Sequence, residues 1–71
     1  MDKFVLFEEA FFVNGVYQPR PLLINLTEVE SVCVSDIPPE MTIISMKSGN
    51  SFRVTDKIED VVKIIKEEKS E

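Results

Sequence analysis

The sequence predicts an α+β fold: about five antiparallel strands form a meander, curled or closed into a small barrel, and one amphipathic helix follows at the C-terminus. Short runs of β-branched and aromatic residues alternate with turn residues up to residue 55, and helical spacing of apolar residues begins after it. A chain of 71 residues can bury only one small core. We therefore expect a single domain over residues 1–71, with strands within about 3–55 and the helix at about 57–68.

The first predicted element is a hairpin. Residues 3–13 are dense in apolar and aromatic side chains, which is typical of a strand. Asn14-Gly15 then gives the strongest short hairpin pattern, because both residue types tolerate positive φ. The return segment contains Pro19 and Pro21, which cannot donate to a ladder. We expect this strand at a sheet edge or interrupted there.

The middle of the chain predicts three further strands. Residues 25–28 form a bend or a single helical turn, and the β-branched run 29–35 follows, with Val32 and Val34 on one face. Two consecutive prolines make residues 36–40 a loop. The strands 41–47 and 51–55 flank a turn at Ser48-Gly49-Asn50.

The last segment predicts the helix. Asp56 and Glu59 have the spacing of a capping box, so the helix should begin at about Lys57. Its apolar stripe consists of Ile58, Val61, Val62 and Ile65. One short helix cannot cover both sides of a five-stranded sheet, and the first strand is apolar on both faces. Either the sheet curls into a barrel or a second copy covers it.

Charge and cysteine content limit the partners and the compartment. The net charge is −5, and residues 1–46 hold seven acids against two bases. An acidic surface repels nucleic acid and anionic lipid, so neither is a default partner. The single cysteine cannot form an internal disulfide, and no stretch reads as a signal peptide or membrane span. We expect a cytoplasmic protein of bacterial or phage type.

No residue set predicts catalysis, a cofactor or a metal site. Histidine, the commonest general acid and base, is absent. Cys33 lies in an apolar strand and is expected to be a buried small hydrophobe, although an oxidation sensor is the alternative. Glu28 and Glu30 favour a solvated strand face over a hydrolytic pair. Lys47, Arg53 and Lys57 read as solvated surface, because no aromatic platform accompanies them. We therefore expect no enzyme activity.

Aromatic residues flank the first turn. Phe11, Phe12 and Tyr17 form either the end of the core or a protein contact patch, and the core is the favoured interpretation. Arg20 joins them as a possible contact residue. Its segment, Pro19-Arg20-Pro21, is short for a polyproline ligand and more typical of an edge protected from pairing.

The order of these patterns resembles the FlbD-like family of small flagellar-operon proteins. The matching stretches lie within about residues 11–66: Val13-Asn14-Gly15, Ile24-Asn25-Leu26, residues 39–44, Ser48-Gly49-Asn50, and Val54 through the helix that contains Asp60-Val61-Val62. The resemblance implies the same fold and a non-enzymatic cytoplasmic protein that acts through protein contacts. It supplies no catalytic residues to carry over.

Three functional hypotheses follow. The first is a non-catalytic binding or adaptor module that contacts a protein partner and self-associates through strand faces or edges as a homo-oligomer. The second is an acidic inhibitor or nucleic-acid mimic that binds a basic host protein. Its negative surface would comprise Glu8, Glu9, Glu28, Glu30, Asp36 and Glu40. The third is nucleic-acid binding on a small barrel, against which the charge argues.

Overall fold

The computed structural model describes residues 3–35 and 41–69, so the predicted loop at 36–40 lies outside the described residues. The helix α1 spans Ile58–Lys69, and a 3-10 helix spans Leu26–Glu28. The strands, in chain order, are β1 Phe4–Glu9, β2 Phe12–Val13, β3 Val16–Tyr17, β4 Arg20–Asn25, β5 Val29–Val34, β6 Thr42–Met46 and β7 Ser51–Val54. The predicted α+β class, with its antiparallel sheet and C-terminal helix, is confirmed.

The predicted first hairpin is present and is interrupted near its middle. β1 pairs with β4, and β2 pairs with β3 around the turn. Asn14 and Gly15 have φ of 52° and 79°, the left-handed values that a two-residue turn of this kind requires. Between the two paired parts, the amide of Gln18 donates to the carbonyl of Phe11 at 2.6 Å. The interruption lies beside Pro19, as the sequence predicts.

Five strands form the main sheet in the order β4-β1-β7-β6-β5. From β5 to β7, consecutive strands are neighbours, as the predicted meander requires. β1 instead lies between β7 and β4, and β4 is an edge strand. β4 and β5 occupy opposite edges although only three residues separate them. A flat sheet would hold these edges roughly 19 Å apart, while the link from Asn25 to Val29 spans at most about 14 Å. The sheet is accordingly curled, without closing into a barrel.

The connection between β4 and β5 is fixed by a side-chain cap. The Oδ1 atom of Asn25 accepts hydrogen bonds from the backbone amide of Thr27 at 3.1 Å and from its hydroxyl at 2.8 Å. An asparagine in this position satisfies the first donors of a helical turn. The bend predicted at residues 25–28 is thus a capped 3-10 turn, and its Leu26 is buried.

The core lies between the concave side of the sheet and α1. Val61 of α1 is buried in one cluster with residues from five other elements: Phe7, Ile24, Leu26, Ile44 and Val54. The helix begins at Ile58, and the amide of Val61 donates to the carbonyl of Lys57. Thr42, also buried, donates from its hydroxyl to the carbonyl of Asp56 at 2.7 Å. That bond ties β6 to the segment that leads into the helix.

Candidate protein-contact surface

The side of the β1–β4 hairpin that faces away from the helix is apolar and exposed. Leu6 and Leu23 are directly paired across the strands and are 67% and 61% exposed. Phe4, two residues before Leu6, is 56% exposed. Side chains alternate between the two faces of a strand, so these three share one face. A monomer normally leaves such residues singly at its surface, and here they are adjacent.

An ion pair shows that this alternation continues through the interruption of the hairpin. The Nε atom of Arg20 donates to the Oε1 of Glu9 at 2.8 Å, and its guanidinium carbon lies 3.7 Å from the ring centre of Phe11. These two contacts of one side chain agree with a placement of Glu9 and Phe11 on the same face. The pairing register is also the same in both parts of the hairpin: Glu9 pairs with Arg20, and three residues further along each strand Phe12 pairs with Tyr17.

The neighbouring residue Phe12 therefore lies on the face of Phe4 and Leu6. Its ring packs against Tyr17, its cross-strand partner, with the centroids 5.5 Å apart. Phe12 and Tyr17 remain 49% and 41% exposed. We call five exposed aromatic and leucine side chains of this face the outer stripe: Phe4, Leu6, Phe12, Tyr17 and Leu23.

The end of the hairpin projects from the body of the protein. Every residue from Phe12 to Pro21 is exposed, and the principal extents are 41 × 20 × 19 Å. We call residues 12–17 the arm. Val13 and Val16 pair on the arm's other face and are also exposed. A two-stranded hairpin is marginally stable alone in water, and this one exposes apolar side chains on both faces.

The structure places the four predicted contact residues on the hairpin but on different sides of it. Phe12 and Tyr17 are exposed, so the preference for a core position was wrong for both. The reason is geometric, since they flank a turn that lies beyond the strands covered by the helix. Phe11 is half-buried under Arg20, which is itself exposed.

The expectation for Cys33 was also wrong, because its side chain is exposed. Cys33 pairs with Ile43 of β6, on the face opposite to the half-buried Val32. The predicted common face for Val32 and Val34 already required the residue between them to point the other way. Because Val32, Cys33 and Val34 are all apolar, the sequence pattern alone did not show that Cys33 is exposed.

Sequence reasoning did not identify Phe4, Leu6 or Leu23 as contact candidates. All residues from Phe4 to Phe7 are apolar, so periodicity does not distinguish the buried face of β1 from the exposed one. The available indication was the requirement that a curled sheet or a second copy cover the first strand. The sheet does not close into a barrel, so its curvature does not cover this face.

The charged groups near the outer stripe do not form a site for one kind of ligand. A shallow concavity of about 390 Å³ adjoins it, with Leu6, Pro19 and Pro21 in its wall and charges of both signs from Glu8, Arg20 and Asp56. Such mixed charge does not favour a particular ligand. Of the three predicted surface cations, Lys47 and Lys57 are exposed. The prediction was wrong for Arg53, which is half-buried on β7 and whose Nε atom is buried without a hydrogen-bond partner among the described residues.

Within residues 3–35 and 41–69, no three acidic or cysteine side chains come close enough to hold a metal ion. The helical segments in the described part of the chain are too short or too polar to cross a membrane. Glu28 ends the 3-10 helix and Glu30 follows in β5, so the two carboxylates do not share a regular strand face.

Comparison with known proteins gives no match: no family model, curated protein or solved structure is similar to this chain.

Proposed function

We propose that this protein is a non-catalytic binding module that acts in the cytoplasm through contacts with a protein partner and with itself. The arm carries this proposal. It exposes Phe12, Val13, Val16 and Tyr17 on a two-stranded element that the other described residues do not cover. Large aromatic side chains on an exposed ridge are the usual anchors of protein interfaces. Burial by a partner would also stabilise a hairpin that is marginal alone.

The charge distribution supports an apolar contact over an acidic one. Glu9 is ion-paired with Arg20, which reduces the negative surface that the inhibitor hypothesis needs on β1. Arg20 is held in place from two sides, by the carboxylate and by the Phe11 ring. The resemblance to the FlbD-like family, which implies action through protein contacts, remains a prediction that agrees with this proposal.

Affinity capture from a lysate of the source cells tests the proposal. Wild-type protein is compared with Phe12→Glu and Val16→Glu, which place a charge on opposite faces of the arm. Val34→Glu is the matched control, since Val34 is an exposed valine on β5, outside the arm. We expect one partner to be retained by wild type and by the control at low and high salt, and to be lost from both arm variants.

Other outcomes contradict the proposal in distinct ways. A basic partner that high salt releases would support the acidic inhibitor instead, because screening weakens charge-driven contacts. A partner that binds the arm variants as well as wild type would place the contact elsewhere.

A further inference from the structure

We propose that the outer stripe is a dimer interface, on which the stripe of a second copy of this chain packs face to face. This inference rests on the proposed function and names the surface responsible for its self-association. The stripe crosses from the body of the protein onto the arm, so it is longer than either.

The hairpin's prolines exclude strand addition at the adjacent edge. The amides of Leu26 and Gln18 donate to the carbonyls of Lys3 and Phe11 on the facing strand. In an antiparallel pair, every second residue directs its amide toward the partner strand, and the residues between direct theirs away. Pro19 and Pro21 are residues of the second kind, so their backbone nitrogens point away from β1, toward the open edge of β4. Both nitrogens lack hydrogen, so two successive donors are missing there. A partner strand would gain little at this edge, which leaves the exposed face as the contact.

The composition of the face favours a second copy as the occupant. Glu8 is its one charged residue on the two strands, in a chain of net charge −5. The stripe therefore offers almost no charge to a partner that binds by electrostatic attraction. An identical stripe is apolar over the same length, and a two-fold axis places the Phe12 and Tyr17 rings of one copy toward the aliphatic side chains of the other.

The exposed area sets the strength of the dimer. The exposed parts of the three rings amount to roughly 300 Å². Leu6 and Leu23, the other two members of the stripe, raise this to about 500 Å² per copy. Two copies would then bury about 1,000 Å², the lower limit for a specific interface. We therefore expect a reversible dimer with a dissociation constant in roughly the micromolar range.

Sedimentation equilibrium of the full chain tests the interface, with Leu23→Glu as the disrupting variant and Val34→Glu as the control. Both place a carboxylate at an exposed apolar position, but only Leu23 lies on the stripe. We expect Leu23→Glu to raise the dissociation constant at least about tenfold and Val34→Glu to change it less than about threefold. Added salt should strengthen the wild-type dimer, because it screens the repulsion between two acidic copies.

A second pair of variants examines the one charge on the face. Glu8→Gln and Glu30→Gln each remove one negative charge from the chain, and Glu30 lies on β5, away from the stripe. Burial of a carboxylate in an apolar contact opposes association. We expect Glu8→Gln to tighten the dimer about threefold or more relative to Glu30→Gln. Equal effects would show that only net charge matters and would overturn this placement of Glu8.

Isotope-filtered nuclear Overhauser measurements on mixed labelled and unlabelled wild type locate the contact without any substitution. Cross-copy signals between Leu6 or Leu23 methyl groups and the Phe12 or Tyr17 rings are the expected result. A monomer at all accessible concentrations, or cross-copy signals confined to β5, would overturn the inference. Partner capture by the arm of a monomeric protein would leave the proposed binding function standing while this dimer fails.

Discussion

The two faces of the β1–β4 hairpin have nearly the same composition and opposite environments. On the inner face, Phe7 and Ile24 are 3% and 2% exposed and pack in the core. On the outer face, Leu6 and Leu23 pair in the same way across the same two strands and remain mostly exposed. The difference comes from what covers each face, since α1 packs on the inner side of the sheet alone.

This comparison shows that hydrophobicity alone does not define the core of a small sheet protein. A single twelve-residue helix covers one face, and alternation forces every second side chain onto the other. Apolar residues retained on the uncovered face add little to the stability of the monomer. Their contribution depends on a further surface that buries them, which is the basis of the proposed contact.

The sharpest test of the comparison uses two neighbouring residues of β4. Ile24→Ala should lower the free energy of unfolding by about 3 kcal/mol, because it opens a cavity in the core. Leu23→Ala should lower it by less than about 0.5 kcal/mol in the monomer, since its side chain is already in water. Urea unfolding at low protein concentration measures both. Similar losses would mean that the two faces are equally buried.

A second test compares the turn of the arm with a turn of the body. Gly15 and Gly49 both have positive φ, and an added Cβ would meet no atom within 4 Å at either, so the cost of alanine is a backbone cost. Gly49→Ala should lower the free energy of unfolding by about 1 kcal/mol. Gly15→Ala should mainly open the arm and change global unfolding by less than about 0.5 kcal/mol.

Amide hydrogen exchange separates the two effects. Faster exchange confined to residues 12–17 is expected for Gly15→Ala, together with an unchanged urea midpoint. If Gly15→Ala instead lowered global stability as much as Gly49→Ala, the arm would be part of the cooperative core.

Much of the fold follows from local sequence patterns. Asn14, Gly15 and Gly49 have positive φ, and Asn25 caps a turn with its side chain. Helical spacing predicted a stripe of Ile58, Val61, Val62 and Ile65, of which Val61 and Ile65 pack in the core together with Ile64, which was not predicted. Each of these features depends on residues within about one turn of one another, so one sequence is sufficient. The strand order was less accessible, because the pairing of β1 with β7 joins residues far apart in the chain.

The proposed contact surface could be predicted only in part from the sequence. Aromatic residues beside the turn identified Phe12 and Tyr17, since their position near a hairpin tip is read directly from the sequence. Leu6 and Leu23 could not be found in this way, because their exposure depends on which face the helix covers. That choice is a property of the packed molecule and not of any local pattern.

The cluster at the base of the arm gives a smaller prediction. Arg20→Ala removes both the bond to Glu9 and the stacking on Phe11. Arg20 is exposed, so we expect a loss of about 0.5–1 kcal/mol in the free energy of unfolding. Arg20→Lys should recover part of it, because an ammonium keeps the charge but not the planar stacking group. Lys47→Ala, at an exposed cation of the β6–β7 turn, is the control and should have almost no effect.

The smallest expected effect concerns Cys33, which belongs to the uncovered side of the sheet. Its exposed position predicts that a thiol reagent modifies it fully in the absence of denaturant. Cys33→Ser should change the free energy of unfolding by less than about 0.5 kcal/mol, because no buried contact is lost. Mass spectrometry of the labelled native protein and urea unfolding of the variant measure these two quantities. Labelling that required urea would place Cys33 in the interior and would extend the covered region of the sheet to the outer side of β5.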